Sequence, residues 1–362
     1  VVIVFHFWAA SAGGIVSVTI RDVARRARVS VATVSRVVNR SPHRVSSTTE
    51  RRVRTAVRAL GYRANIIAQG LKKRSSRTVA LIVPDISNPF FPAVARGIED
   101  TARHHGYAVL LCNTYEDLAR ENAYLALLRH RWVDGVIFAT VGSNTRHLRA
   151  LQRARLPVVL VARDVEGLSI DTVRVDNFRG EYEATRHLLR LGHRRIAHIA
   201  GPPALHVAAE RRRGYLEALR SAGLGGEALI VEGDFTADGG RRAMEGVLRS
   251  QPTITAVAAA NDLMAIGAVE ALRQVGKRVP EDVAVVGFDD ITFASLVSPA
   301  LTTVAQPKYR MGQMAMERLL QLLHGGDARS RQTVLIPELV VRESCGSRIR
   351  AREQSASEEA VR

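Results

Sequence analysis

Few residues in this chain have the types and spacing needed to make or break a covalent bond. His104 and His105 are adjacent beside Gly106, at an expected helix end, where neighbouring imidazoles make a poor chelate. Asp289 and Asp290 are adjacent as well. Side chains of consecutive residues diverge, so this pair reads as a cap after a strand rather than as cooperating carboxylates. Cys112 and Cys345 are the only cysteines, too few for a disulfide framework or a multi-cysteine metal centre and in keeping with a reducing compartment. There is no glycine-rich phosphate loop, no nucleophile elbow and no His/Cys cluster at metal-ligand spacing. Neither an enzyme nor a cofactor or metal is expected. The side chains spaced for recognition are hydrogen-bonding groups: Thr19, Ser30, Thr33, Ser35, Arg36 and Asn39 recur through one basic stretch. The guanidinium fork of Arg36 matches the two acceptors of a guanine edge.

That stretch also holds most of the excess charge. The 362 residues carry a formal charge of +17, of which Val18 to Arg77 contribute +14, from sixteen Lys and Arg against only Asp22 and Glu50. The other residues are close to neutral. Charge concentrated in this way is the footprint of a polyanion-binding module, usually for nucleic acid.

Three helical patterns position the donors. Thr19 is a suitable N-cap for Ile20–Ala27, where Ile20, Val23, Ala24 and Ala27 recur on one face. After a short break Ser30 caps Val31–Asn39, with Val34, Val37 and Val38 inward and Val31, Ala32, Ser35, Arg36 and Asn39 outward. A third pattern, Ser47–Leu60, ends at Gly61, a favoured helix stop. Two short helices joined by a tight turn, with a third closing the core, describe a helix-turn-helix unit whose second helix enters the major groove. There Val31 and Ala32 would meet thymine methyls, while Ser30, Thr33 and Ser35 would hold phosphates or cap the helix.

From Arg77 onward the texture changes. Short apolar runs alternate with amphipathic helices: Val79–Val83, Ala108–Cys112, Gly135–Phe138, Val158–Val161, Ile196–Ala200, Leu229–Val231, Ala256–Ala260 and Val283–Phe288. Strands buried on both faces of a parallel sheet read like this, and eight such units suit two doubly wound subdomains with a ligand site at the strands' C-terminal ends. The opening Val1–Val16 is apolar but lacks Lys and Arg and falls short of the ~20 residues of a membrane span. Residues 1–17 therefore read as a leader, either a mis-start upstream of the true one or disordered, and no membrane association is expected.

The run TIRDVARRARVSVATVSRVVN (Thr19–Asn39) resembles the headpiece of the lactose-repressor (LacI/GalR) family of bacterial transcription regulators. The likeness continues through Asn65–Lys72 and, in order, PDISNPFF, VDGVIF, LGHRRIAHIAGP, ERRRGY, VEGDF, AANDLMAIGA, VPEDVAVVGFDD, SPALTTVAQP and ELVVRESC, ending at Cys345. It implies a small all-α helix-turn-helix headpiece (18–63) and a hinge helix and linker (64–77). These precede an α/β core of two doubly wound parallel-sheet subdomains, like a periplasmic binding protein (78–345), and a disordered tail (346–362). The implied N-lobe spans about 78–175 plus 305–332, and the C-lobe about 176–304 plus 333–345. On DNA, Asn65, Leu71 and Lys72 match hinge residues, with Leu71 the minor-groove wedge. Gly70 departs from the usual non-glycine residue and should weaken the isolated hinge helix by ~1 kcal/mol.

For the core, the resemblance implies a small-molecule effector, sugar-like, between the lobes. Asp85, Phe90, Phe91, Arg163, Arg211, Phe235 and Asp262 are its expected contacts: Arg211 as the clamp on ligand oxygens, Asp262 as the acceptor and Phe235 as a flat platform. Ala162 stands where many sugar-responsive members carry aspartate, which leaves Arg163 or His206 to substitute. The implied protein is a cytoplasmic, nucleoid-associated repressor of a catabolic operon, binding a pseudo-palindromic operator as a homodimer, with a tetramer as the alternative. Two other readings are a core governed by a protein corepressor, on a surface at Arg96–Asp100, and a stand-alone solute-binding protein. The last would require an export signal and no headpiece.

Overall fold

The computed structural model describes residues 18–38, 45–62, 75–115, 117–128, 132–139, 146–165, 167–327 and 329–347. The leader, Asn39, the hinge residues Asn65, Leu71 and Lys72, and the tail beyond Ser347 lie outside the described residues. The chain divides into two compact units, with the division along the sequence between Ser76 and Arg77.

The first unit contains α1 (Ile20–Ala27), α2 (Val31–Val38) and α3 (Ser47–Leu60). Val23, Ala24, Ala27, Val34, Val37, Val53 and Ala56 form its buried core, the stripes expected from the helical spacing. Side chains satisfy the exposed helix ends. Asp22 accepts from both the Thr19 backbone and hydroxyl, which holds its carboxyl below the ordinary range. Ser30 and Ser46 oxygens accept from the Thr33 and Thr49 N–H groups at the starts of α2 and α3. Gly61 takes the left-handed conformation (φ +63°) that stops α3. Arg52 reaches from α3 to donate to the carbonyls of Ala27 (2.6 Å) and Arg28 (3.2 Å), where α1 ends.

The second unit is built on two six-stranded sheets. In chain order the strands are β1 (Thr78–Val83), β2 (Ala108–Asn113), β3 (Gly135–Phe138), β4 (Val158–Val161), β5 (Asp171–Val175), β6 (Ile196–Ala200), β7 (Leu229–Glu232), β8 (Ala256–Ala259), β9 (Ala284–Asp289), β10 (Thr302–Ala305), β11 (Gln332–Leu335) and β12 (Glu338–Val340). One sheet has the order β11-β5-β4-β3-β1-β2 and is parallel throughout. The other runs β12-β10-β9-β8-β6-β7, parallel except where β12 meets β10. Helices α4 (Phe90–His104), α5 (Leu118–Leu128), α6 (Arg146–Arg153) and α11 (Lys308–Leu323) cover the first sheet. Helices α7 (Asn177–Arg190), α8 (His206–Ser221), α9 (Ala237–Ser250) and α10 (Asp262–Gln274) cover the second.

The eight strand runs expected from apolar patterning all form. Four more strands were not legible: β5, β10, β11 and β12 carry charged or threonine residues where an apolar run would be the signal. In β5, Asp171 is buried because Arg318 of α11 donates to it at 2.6 Å, so a charged residue occupies an internal strand with its partner supplied from elsewhere. The lobe boundary also moves. Because β11 pairs with β5, the last crossing falls after Leu335 rather than within 332–333. Helix α4 crosses α11 where Gly97 faces Gly312; a Cβ on Gly97 would sit 2.1 Å from the Tyr309 carbonyl oxygen, so the backbones touch.

Candidate functional site

In the headpiece, α2 presents Val31, Ala32 and Arg36 to solvent while Val34 and Val37 hold it to the core. Val31 is 42% exposed, on the same outward face as Arg36. The acids of this unit are already engaged, Asp22 with Arg25 and Glu50 with Arg54. Arg36 thus faces outward with no carboxylate at salt-bridge distance among the described residues. The hydroxyls of Ser30 and Thr33 bond each other at 2.9 Å, so their first role is capping.

In the second unit a cavity of about 510 Å³ opens between the two sheets, at the C-terminal ends of their strands. Six of the seven expected ligand residues line it: Asp85, Phe90, Phe91, Arg163, Arg211 and Phe235. Phe90 and Phe91 pack edge to face, ring centroids 5.1 Å apart, and both are buried while still bordering the cavity. Asp85 accepts from the Ser87 N–H and hydroxyl at 2.9 and 2.7 Å, which stiffens the loop before α4. On the opposite wall Phe235 stands at positive φ (+64°) with its ring over Gly201, where a Cβ would come within 2.2 Å of it. The Arg163 guanidinium lies 5.8 Å from that ring.

Arg211 is the most constrained side chain of the site. It is 6% exposed, its Nε donates to Asn177 Oδ1 at 2.9 Å, its Nη1 donates to the Ala260 carbonyl, and its guanidinium stacks 3.7 Å above Phe288. Its Nη2 lies 3.8 Å from Asp289 Oδ1. Burial pulls the guanidinium below its ordinary range, against the opposing pull of the Asp289, Glu181 and Asp262 carboxylates.

Two expectations are corrected. Asp262 is fully buried at the start of α10 and is not on the cavity wall: its oxygens accept from the Thr303 hydroxyl and from the Ile291 N–H at 2.8 Å. The carboxylate at the cavity is Asp289, at the end of β9, one half of the pair expected only to cap. Asp289 is left-handed (φ +123°), 5% exposed, and accepts from Gln306 Nε2 at 2.6 Å. The pair diverges as consecutive side chains should, since Asp290 turns to Arg342 at 2.7 Å. Burial pushes both Asp262 and Asp289 upward; Asp262, with the Asp289 charge adding to the effect, reaches about 7. His206 is not on the cavity wall, and its ring bonds Asp164 at 2.6 Å. Asn177, Asn261 and Gln306 were missed because lone amides carry no sequence signal. Asp289 had one, an acid ending a strand of a doubly wound sheet.

A helix-turn-helix unit followed by a two-lobed α/β ligand-binding core defines the class: a DNA-binding regulator with a sensor attached. The chain matches the model of bacterial regulatory proteins of the lacI family over residues 19–65 and that of periplasmic binding proteins and the sugar-binding domain of the LacI family over 76–344. It belongs to the LacI family. It is 38% identical over 326 residues to the ribose operon repressor of Halalkalibacterium halodurans, covering 90% of this chain and 96% of that repressor. Among solved structures it resembles the transcriptional regulator CelR–cellobiose complex (TM-score 0.70, 35% identity, 90% of this chain and 99% of that one). It also resembles the Lac repressor dimer bound to operator and the anti-inducer ONPF (TM-score 0.81, 30% identity, 91% and 99%).

Proposed function

We propose that this chain represses transcription by placing two headpieces on a pseudo-palindromic operator, and that a sugar-like effector in the interlobe cavity sets its affinity for DNA. The observation that carries this reading is the cavity itself. A buried guanidinium, a carboxylate and three phenyl rings converge at the C-terminal ends of two parallel sheets. A fork donor and an anionic acceptor suit hydroxyls on one polar rim of a ligand, and flat apolar walls suit the C–H face of a sugar or a ring base. On DNA, Arg36 would take a guanine edge, Val31 and Ala32 thymine methyls, and Thr19, Ser30, Thr33, Ser35 and Asn39 the flanking phosphates or bases. Asn65, Leu71 and Lys72 would engage the minor groove between half-sites.

Pairing of two copies belongs to the operator reading: a pseudo-palindromic site is matched by a protein with two-fold symmetry. A cytoplasmic place follows from the DNA partner; among the described residues no helix is long and apolar enough to cross a membrane. The sign of control follows from linkage: an effector that prefers the DNA-competent lobe arrangement acts as corepressor, and one that prefers the other acts as inducer. The test is a thermal-shift screen of sugars, polyols and nucleosides on the full chain, paired with selection of bound sequences from a random duplex pool. A ligand that raises the core transition and changes affinity for a selected palindrome is the expected result. Selection without a palindrome, or ligands that bind without changing DNA affinity, would refute the reading.

A further inference from the structure

Among the described residues three segments pass between the two sheets, after β5, β10 and β11, and the one after β10 grips the cavity carboxylate. After β10 the chain leaves the second sheet through Gln306 and Pro307 and starts α11, which packs on the first sheet. Three donors of this crossover turn back onto Asp289 in the lobe just left. Gln306 Nε2 donates to its carboxylate at 2.6 Å, the Gln306 N–H approaches its carbonyl at 3.5 Å, and Lys308 Nζ donates to the same carbonyl. Lys308 Nζ also donates to the carbonyl of Asp290 at 2.7 Å. Those two carbonyls belong to consecutive left-handed residues, φ +123° at Asp289 and +54° at Asp290. Aspartate enters this region more readily than most L-residues, and two such residues in succession persist where surrounding donors hold them. Lys308 itself is half-buried, and burial lowers its ammonium from the ordinary range against the pull of Asp289, Asp290 and Asp262, with Arg342 adding a like charge. At its other end the same helix turn touches α4: the Tyr309 hydroxyl donates to Asp100 at 3.2 Å.

We propose that Lys308 is a positioning residue: a clasp across the crossover that holds the left-handed Asp289–Asp290 turn, so that a ligand meeting Asp289 is mechanically joined to α11 and to the orientation of the first lobe. The proposal rests on the effector reading for its consequence but not for its geometry. No other lysine or arginine spans this crossover to a backbone carbonyl of β9's end among the described residues. A ligand that draws the Asp289 carboxylate toward itself must rotate the residue about a backbone that Lys308 ties to the other lobe. Without the clasp the ligand would still bind Asp289, more weakly, and the lobes would no longer register it.

The experiment compares the full chain with Lys308→Met, which keeps the aliphatic stem but removes the donors, and Lys308→Arg, which restores donors. In a first arm, without ligand, hydrogen exchange is followed at the Asp290 N–H, which bonds Thr303 Oγ1 at 3.3 Å, and at the Ile291 N–H, which bonds Asp262. Lys308→Met is expected to speed both at least tenfold, with β1 and β3 unchanged, and Lys308→Arg to restore most of the protection. Equal exchange in Lys308→Met and the unaltered chain overturns the clasp, as does a uniform rise across both lobes. In a second arm, D-ribose and cellobiose are titrated, with operator affinity measured in their presence and absence. Lys308→Met is expected to leave ligand-free operator affinity within about twofold while the change caused by the sugar falls toward none. A sugar effect retained in full refutes the coupling. If neither sugar acts on the unaltered chain, these sugars are excluded as effectors and the first arm alone decides the clasp.

Discussion

Replacing Arg211 by alanine tests whether this side chain is a ligand clamp alone or part of the lobe's interior. Its guanidinium makes two charge-assisted bonds, to Asn177 and to the Ala260 carbonyl, and stacks on Phe288 at 3.7 Å. Each such bond is worth about 1.5–3 kcal/mol, and a desolvated cation–π contact about 2. These overlap and do not add. The governing quantity is the loss of the guanidinium nearest the buried Asp289, which keeps Gln306 and the charges of Lys308 and Arg163, and breaking a buried pair costs up to about 3–5 kcal/mol. Against a total stability of about 5–15 kcal/mol, that is a large fraction. At about 2–4 °C per kcal/mol, the core transition should fall by roughly 10 °C in calorimetry of the full chain. Asn177→Ala, which removes only the group orienting Nε, should give about a third of this loss. The reasoning is refuted if Arg211→Ala shifts the transition by less than about 2 °C. It follows that a lost effector response in Arg211→Ala is evidence for ligand contact only below the lowered transition, where operator binding should be intact.

Other consequences are as direct. Arg36→Ala should cost about 1–3 kcal/mol of discrimination at one base position, read by competition between operator variants; a uniform loss with a shallower salt slope would make Arg36 a phosphate contact instead. Asp262 holds its proton more tightly folded than unfolded, so its stabilising contribution is full below about pH 4 and lost as pH rises through about 7. Denaturant titrations should therefore find the core less stable at pH 8 than at pH 5, and Asp262→Asn should flatten that slope; an unchanged slope would remove Asp262 as its source. Gly97→Ala places a Cβ against the Tyr309 carbonyl and should destabilise by about 1–3 kcal/mol, read as a lower urea midpoint. No shift there would mean that α4 and α11 separate at no cost.

Much of this fold is legible without coordinates, and the reason differs by region. Helices α1 and α3 run over the expected residues because their apolar stripes, Ser and Thr caps and Gly61 all agree. Strands β3 and β4 also match, since an uninterrupted apolar run of four residues has few alternatives, and β6 matches with His198 as the one polar residue in its run. The strands missed are those whose polar side chains are satisfied from a distance, as Asp171 is by Arg318 across 147 residues. The same division separates Asp262 from Asp289. Both follow apolar strand runs and look equivalent in sequence. Asp262 opens a helix and turns inward to Thr303 and Ile291, whereas the left-handed backbone at Asp289 swings its carboxylate to the cavity.

By itself, then, the sequence determined what is local or periodic. It showed where the charge lies, which helix face points outward with Arg36, and that apolar strands alternate with helices. Its family motifs pointed to Arg211 and Phe235. Tertiary structure decided which of two aspartates meets the cavity, that Arg211 is locked from behind by Asn177 and Phe288, and that Lys308 reaches back across a crossover. The physical reason is that burial and hydrogen-bond partnership are set by residues tens to hundreds of positions apart, and their convergence leaves no period for a linear reading to find.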